Sequence, residues 1–177
     1  MKIATGKVRL SYANIWIPKS FNGQAPKYTA SLIIPKSDEK TIGKIKATFE
    51  ALKKDPVSIN KWGGKVTNLN IPLRDGDEER SQDAAYANSY FMNVSTAEAY
   101  PPRIVDRNKQ EILDHAEVYS GCYVQAVINF SAYNNAGNKG IGAYLQGIRK
   151  LADGEPLTSS IATDDDFSDV DDVDDLF

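Results

Sequence analysis

One imidazole and one thiol, His115 and Cys122, are the only residues of their types in 177. A protein nucleophile needs an adjacent base to activate it, and a structural zinc takes four thiolate or imidazole donors. The chain can assemble neither. His115 sits in LDHAEVY, which reads as an exposed connection, so no catalytic residue, metal or cofactor is assigned. The acidic run Asp75, Asp77, Glu78, Glu79 has the look of a calcium loop. It fails the spacing, because Arg80 stands where the sharp turn requires glycine. Gly140 and Gly142 follow a turn inside a hairpin and open no helix, so they are not a dinucleotide fingerprint. What remains is the chemistry of holding a ligand by charge and stacking.

Cations beside aromatic rings are the ingredients for gripping a single-stranded polynucleotide, where each stacked base contributes about 1–3 kcal/mol. Lys7 and Arg9 lie near Trp16, Lys61 and Lys65 flank Trp62, and Arg103 and Arg107 follow Tyr100. Tyr123 and Tyr133 share the outward phase of one strand, and Lys139 comes just after its turn; Lys27 and Arg74 complete the candidate set. Trp16 falls on an outward phase, and Trp62 stands in a Lys-Trp-Gly-Gly-Lys stretch expected to bury little. Tyr12, Tyr28, Phe49, Tyr90 and Phe130 are assigned to the core.

The charge distribution supports a polyanionic ligand. Residues 164–177, DDDFSDVDDVDDLF, hold eight Asp; the whole chain is at -3, so residues 1–163 stand at -3 + 8 = +5. A block of like charge is expected to be disordered and to act as an interaction tail. Its apolar residues recur at intervals of about three and end in Leu176-Phe177. That tip, Asp171, Asp172, Asp174, Asp175, Leu176 and Phe177, suits capture by a partner with an apolar pocket and basic surroundings. Gly154 to Thr163 reads as the linker and 1–153 as the domain. MKIATGKVRL has no secretory h-region, no run approaches a membrane span, and a lone cysteine suits a reducing cytosol. A cytoplasmic location is expected.

The elements that must position these residues are mostly strands. Lys7–Tyr12 alternates with Val8, Leu10 and Tyr12 inward; the phase slips at Ala13-Asn14, where a bulge would return Ile15 and Ile17 to the core. Lys27–Ile34 is a second strand. Residues 38–54 carry the stripe Ile42, Ile45, Phe49, Leu52, with acids in the first turn and lysines in the last, and read as the one clear helix. Its lysines are read as the solvated side of a helix plugging a sheet. The pattern fades from Asp55 to Arg80, apart from a short strand near Asn70–Arg74. Strands then follow over 88–96, 103–113 and 118–133, and NNAGNKG turns the last into its partner, 141–151. One helix in an otherwise all-β chain fits a small barrel; an immunoglobulin-like sandwich is the alternative.

Lys27–Pro35 (KYTASLIIP) with its capped helix, Ile104–Ile112 (IVDRNKQEI), Gly121–Leu151 and the Asp-rich terminus together resemble the replication single-stranded DNA-binding proteins of tailed phages. The resemblance implies an OB-fold, an elaborated five-stranded Greek-key barrel, with an acidic tail. It implies coating of single-stranded DNA in replication and recombination, no enzymatic activity, and a host-cell cytoplasmic location. It also implies a tail that recruits the phage polymerase, primase-helicase or nuclease and occupies the empty groove. Duplex DNA as a ligand and a homodimer are left open. A competing reading is a phage accessory or inhibitor protein whose tail mimics nucleic acid while its body binds a protein.

Overall fold

The computed structural model describes residues 1–157. The rest of the expected linker, 158–163, and the tail, Asp164–Phe177, lie outside the described residues. Eight strands share one sheet: β1 Lys2–Ala4, β2 Val8–Lys19, β3 Lys27–Pro35, β4 Leu73–Asp75, β5 Ser89–Ala97, β6 Arg103–Val105, β7 Tyr123–Asn135 and β8 Asn138–Ala152. The helices are α1 Glu39–Lys54, α2 Pro56–Lys61 and α3 Gly76–Glu79.

Five strands close on themselves in the order β7-β2-β3-β5-β8, with β8 returning to β7. Every neighbour pair in the ring is antiparallel except β5–β8, which is parallel and registers only at Ser95 opposite Tyr144. This is the five-stranded OB barrel, with β1, β6 and β4 added at its margins.

The interior follows from sequence period. Along β7 every second residue is apolar, and Val124, Ala126, Ile128 and Phe130 are fully buried, as is Cys122 before it. Burial pushes the Cys122 thiol up, away from the reactive thiolate. Helix α1 closes the barrel as expected, burying Ile42, Ile45, Phe49 and Leu52; Phe49 meets Phe130 edge-on at 5.3 Å. Its cap is Asp38, whose carboxylate accepts from the Thr41 N–H at 3.2 Å.

Three expectations are corrected. First, β2 slips register twice, between Ser11 and Asn14 and again before Lys19. The first slip is the expected bulge, but Tyr12 takes φ +45° there and turns outward, 62% exposed. The second slip leaves Ile17 outside rather than in the core. Second, residues 55–80 contain α2 and α3. Asp55 caps α2, accepting from the backbone N–H of Ser58 at 3.0 Å, with Pro56 at the first helical position. Third, Trp62 is buried, 2% exposed. Gly63 and Gly64, at φ +75° and +85°, end α2 by donating their N–H groups to the carbonyls of Asn60 and Ile59. The glycines therefore turn the chain so that the ring enters the core, where its indole N–H donates to the Gly140 carbonyl at 2.9 Å.

The acidic loop is tied down by one cation. Lys36, just past β3, bridges Asp75 at 2.9 Å and Asp77 at 2.8 Å. Hydrogen bonds from Lys36 lower both carboxyls below the ordinary carboxylate range, and the same bonds raise the lysine. Depressed acids stabilise the fold above their unfolded value, 3.8, and that contribution disappears as pH falls through their lower folded values. Lys36→Met is therefore expected to lower the melting temperature at neutral pH and to flatten its fall below about pH 4. Thermal melts of both proteins across the acid range check this; parallel curves would count against the clamp.

Candidate nucleic-acid interface

Because the barrel interior is filled with apolar side chains, polar chemistry is confined to its outside. Three adjoining depressions cross the outer surface of β3, β5 and β8. The first is lined by Tyr12, Asn14, Lys19, Phe21, Thr29, Ser31 and Arg80, the second by Lys27, Ser95, Tyr100, Tyr144 and Gln146. The third, about 530 Å³, takes in Lys27, Lys61, Asn70, Arg74, Tyr133 and Tyr144. Shared residues, Ser95, Asn93, Lys27 and Tyr144, join them into one furrow. Five cations and five aromatic rings line it, and no Asp or Glu does so among the described residues.

Local structure aims each group. The positive φ of Tyr12 turns its ring outward. Phe21 enters the loop at Asn22-Gly23, with the Lys19 ammonium 5.4 Å from its ring. Tyr144 leans over Gly142, where a Cβ would come within 2.7 Å of the ring. Arg80 is the most constrained cation. Its guanidinium lies 4.2 Å from the Phe91 ring, 4.6 Å from Tyr86 and 5.2 Å from Tyr12, and donates to the Tyr86 hydroxyl at 2.6 Å. The Tyr86 hydroxyl in turn donates to Ser11 at 2.9 Å. Among the described residues no carboxylate pairs with Arg80, Lys19, Lys27 or Lys61; Arg74 pairs with Glu79 at 3.0 Å. A guanidinium clamped by rings and short of a counter-charge is preorganised for phosphate.

Of the residues expected from sequence, Lys27, Lys61, Arg74 and Tyr133 meet in this furrow. The others do not. Trp62 is corrected outright, since a core ring offers no face to a base. Trp16 is half-buried and occupied, stacked on His115 at 4.2 Å and donating its N–H to the Val118 carbonyl at 3.1 Å. Lys139 bonds the carbonyls of Trp62 and Lys65, closing that loop instead of lining the furrow, and Lys65 lies outside it. Arg107 donates to the Leu151 carbonyl. Lys7 and Arg9 stack on Tyr123 at 5.1 and 5.7 Å, on the β2–β7 side. Arg9 there holds the carbonyls of Gly121 and Glu155 at 3.0 and 2.6 Å. The first four residues read as linker, 154–157, are thus bound to the body: Gly154 donates to the Tyr119 hydroxyl and Leu157 to the Ser120 carbonyl.

Sequence reasoning missed Tyr12, Lys19, Phe21, Arg80 and Tyr144. Tyr144 was legible, because Ile141, Ala143 and Leu145 fix the inward phase and leave it outside. Arg80 carries no periodic signal: Tyr86 and Phe91 follow it within eleven residues, but Tyr12 reaches it only through the fold.

An OB barrel whose second and third strands bear a cationic, ring-lined furrow is the architecture of an oligonucleotide binder. The full chain, residues 1–177, matches the family described as the single-stranded DNA-binding protein of Enterobacter phage Enc34. It is 34% identical over 183 residues to putative protein p50 of Acyrthosiphon pisum secondary endosymbiont phage 1, covering 96% of this chain and 94% of that one. The C-terminally truncated Enc34 protein superposes with a TM-score of 0.72 at 25% identity, covering 88% of each chain. The Enc34 protein in complex with single-stranded DNA gives 0.71 at 24% identity over 89% of each. A fold likeness extends to gp2.5, the single-stranded DNA-binding protein of bacteriophage T7, at 0.62 and 12% identity, covering 92% of this chain and 97% of that one. The chain belongs to the Enc34 family of phage single-stranded DNA-binding proteins.

Tyr12→Ala and Tyr144→Ala are each expected to weaken oligo-dT binding by about 1–3 kcal/mol with little change in stability. Trp62→Ala should instead cost about 3–5 kcal/mol of stability, which neither tyrosine variant does. Paired melts and titrations distinguish the two classes.

Proposed function

We propose that the protein coats single-stranded DNA without sequence preference during its phage's replication and recombination, and has no enzymatic role. The observation that carries this reading is the acid-free furrow. Its cations follow a phosphate backbone, and its rings offer faces that any base can stack on. The floor residues Thr29, Asn93 and Ser95 are small or neutral, so they impose little base preference.

The acidic tail completes the proposal. It competes for the furrow until long DNA displaces it, and its Leu176-Phe177 tip then recruits replication proteins such as a polymerase, primase-helicase or nuclease. The course of the chain supports this. Leu157 packs against the cluster of Ile33, Tyr86 and Phe91, the rings that hold Arg80. Leu157, the last described residue, thus lies beside the rings at the Arg80 end of the furrow. Twenty residues reach at most about 70 Å when extended, and a short tether gives a local concentration on the millimolar scale.

Removing residues 164–177 is expected to tighten oligo-dT binding at matched salt and to blunt its inhibition by added polyanions. Fluorescence or anisotropy titration of the full and shortened chains measures both. Unchanged or weaker binding by the shortened chain would count against the gating. Failure of both chains to bind would favour a protein-binding accessory role, and cleavage in magnesium would reveal a nuclease.

A further inference from the structure

A second basic basin lies on the outer surface where β6, β7 and β8 adjoin. It is about 410 Å³ and is lined by Lys2, Arg103, Lys109, Gln125, Gln146 and Arg149 around the apolar floor Val105, Val127 and Ile148. Four of its residues are cations, no carboxylate lines it, and none of the four forms an ion pair among the described residues. Arg149 is partly covered, and its Nε–H is buried without a hydrogen-bond acceptor, an arrangement that costs free energy unless a ligand completes it. Gly147 keeps the floor open, being opposite Val127 on β7 and Arg103 on β6.

The basin adjoins the furrow. Gln146 lines both, and it is the extra residue of a bulge: Val127 faces Gly147 and Ile128 faces Leu145, leaving Gln146 without a partner. A bulge re-aims a side chain and bends its strand, here at the junction of two cationic surfaces. Tyr100 and Pro101 border the furrow and run directly into Arg103 of the basin.

We infer that the Lys2–Arg103–Lys109–Arg149 basin binds the phosphate backbone of the same DNA strand as it leaves the furrow past Tyr144 and Gln146. The furrow stacks bases, whereas the basin, which has no exposed ring, takes phosphates alone. This rests on the furrow reading and lengthens the occluded site beyond what the furrow covers.

The test compares the full chain with the triple variant R103Q/K109Q/R149Q, and with R103Q/K109Q, which alters only exposed side chains. Each is titrated with oligo-dT of about 6 and about 16 nucleotides, the range a single OB-fold spans. The charge-matched control is K40Q/K44Q/K54Q on the solvent side of α1. The triple variant is expected to bind the short oligonucleotide like the parent and the long one about ten-fold more weakly, with its salt slope reduced by about 2 from three lost phosphate contacts. The double variant should show the same length dependence at smaller size, and the control neither. Equal losses at both lengths, or a control that matches the triple variant, would reduce the basin to general surface charge. Unaltered long-oligonucleotide binding would remove it from the track. If the parent protein bound neither length, the furrow reading itself would fail.

Discussion

The indole of Trp62, buried and bonded to the Gly140 carbonyl, anchors the start of a long insertion whose later part pairs β4 with β5. Asn70 reinforces it: its N–H donates to Lys139, its carbonyl accepts from Ile141, and Gly140 provides the space for that approach. At the other end of the insertion, Lys36 holds Asp75 and Asp77 against the rim of β3. Lys61 stands just before the first anchor, Asn70 and Arg74 lie between Trp62 and Asp75, and Arg80 follows; all four line the furrow. The barrel supplies a floor common to its fold, and this pinned insertion supplies one wall.

The electrostatics divide along the same lines. Cations with structural duties are paired or bonded: Lys36 to two aspartates, Lys150 to Glu117 and Asp153, Arg9 and Arg107 to backbone carbonyls. Those of the furrow, Arg74 apart, have no carboxylate partner among the described residues. Self-repulsion among them disfavours the empty state and is relieved when an anion arrives, which is how an excess of one sign becomes affinity. Arg80 adds geometry to charge, because three rings restrict it before any ligand binds.

Period was legible in the sequence, and exceptions to period were not. The two-residue repeat of β7 and the helical stripe of α1 were read correctly because one face of each is wholly apolar and buried. The bulge near Ala13 could be seen as a phase slip, but not the backbone rotation that turned Tyr12 out, nor the second slip that stranded Ile17. A Gly-Gly pair reads as looseness in sequence, whereas here it caps a helix and seats Trp62 in the core. Lys27, Lys61, Arg74 and Tyr133 are legible from charge and phase; Lys19 and Phe21 are two residues apart, but only folding brings them to Arg80.

Closure of the ring is uneven. Antiparallel ladders join β3 to β5 and β7 to β8 over many residues, while β5 meets β8 at a single parallel pair, Ser95 and Tyr144. Both residues of that pair face the furrow, so a strand lying across them bridges the least hydrogen-bonded line of the barrel. Few backbone hydrogen bonds at that seam oppose a small change in the width of the trough. Occupancy would then act as a suture, making the polynucleotide a part of the wall that holds it.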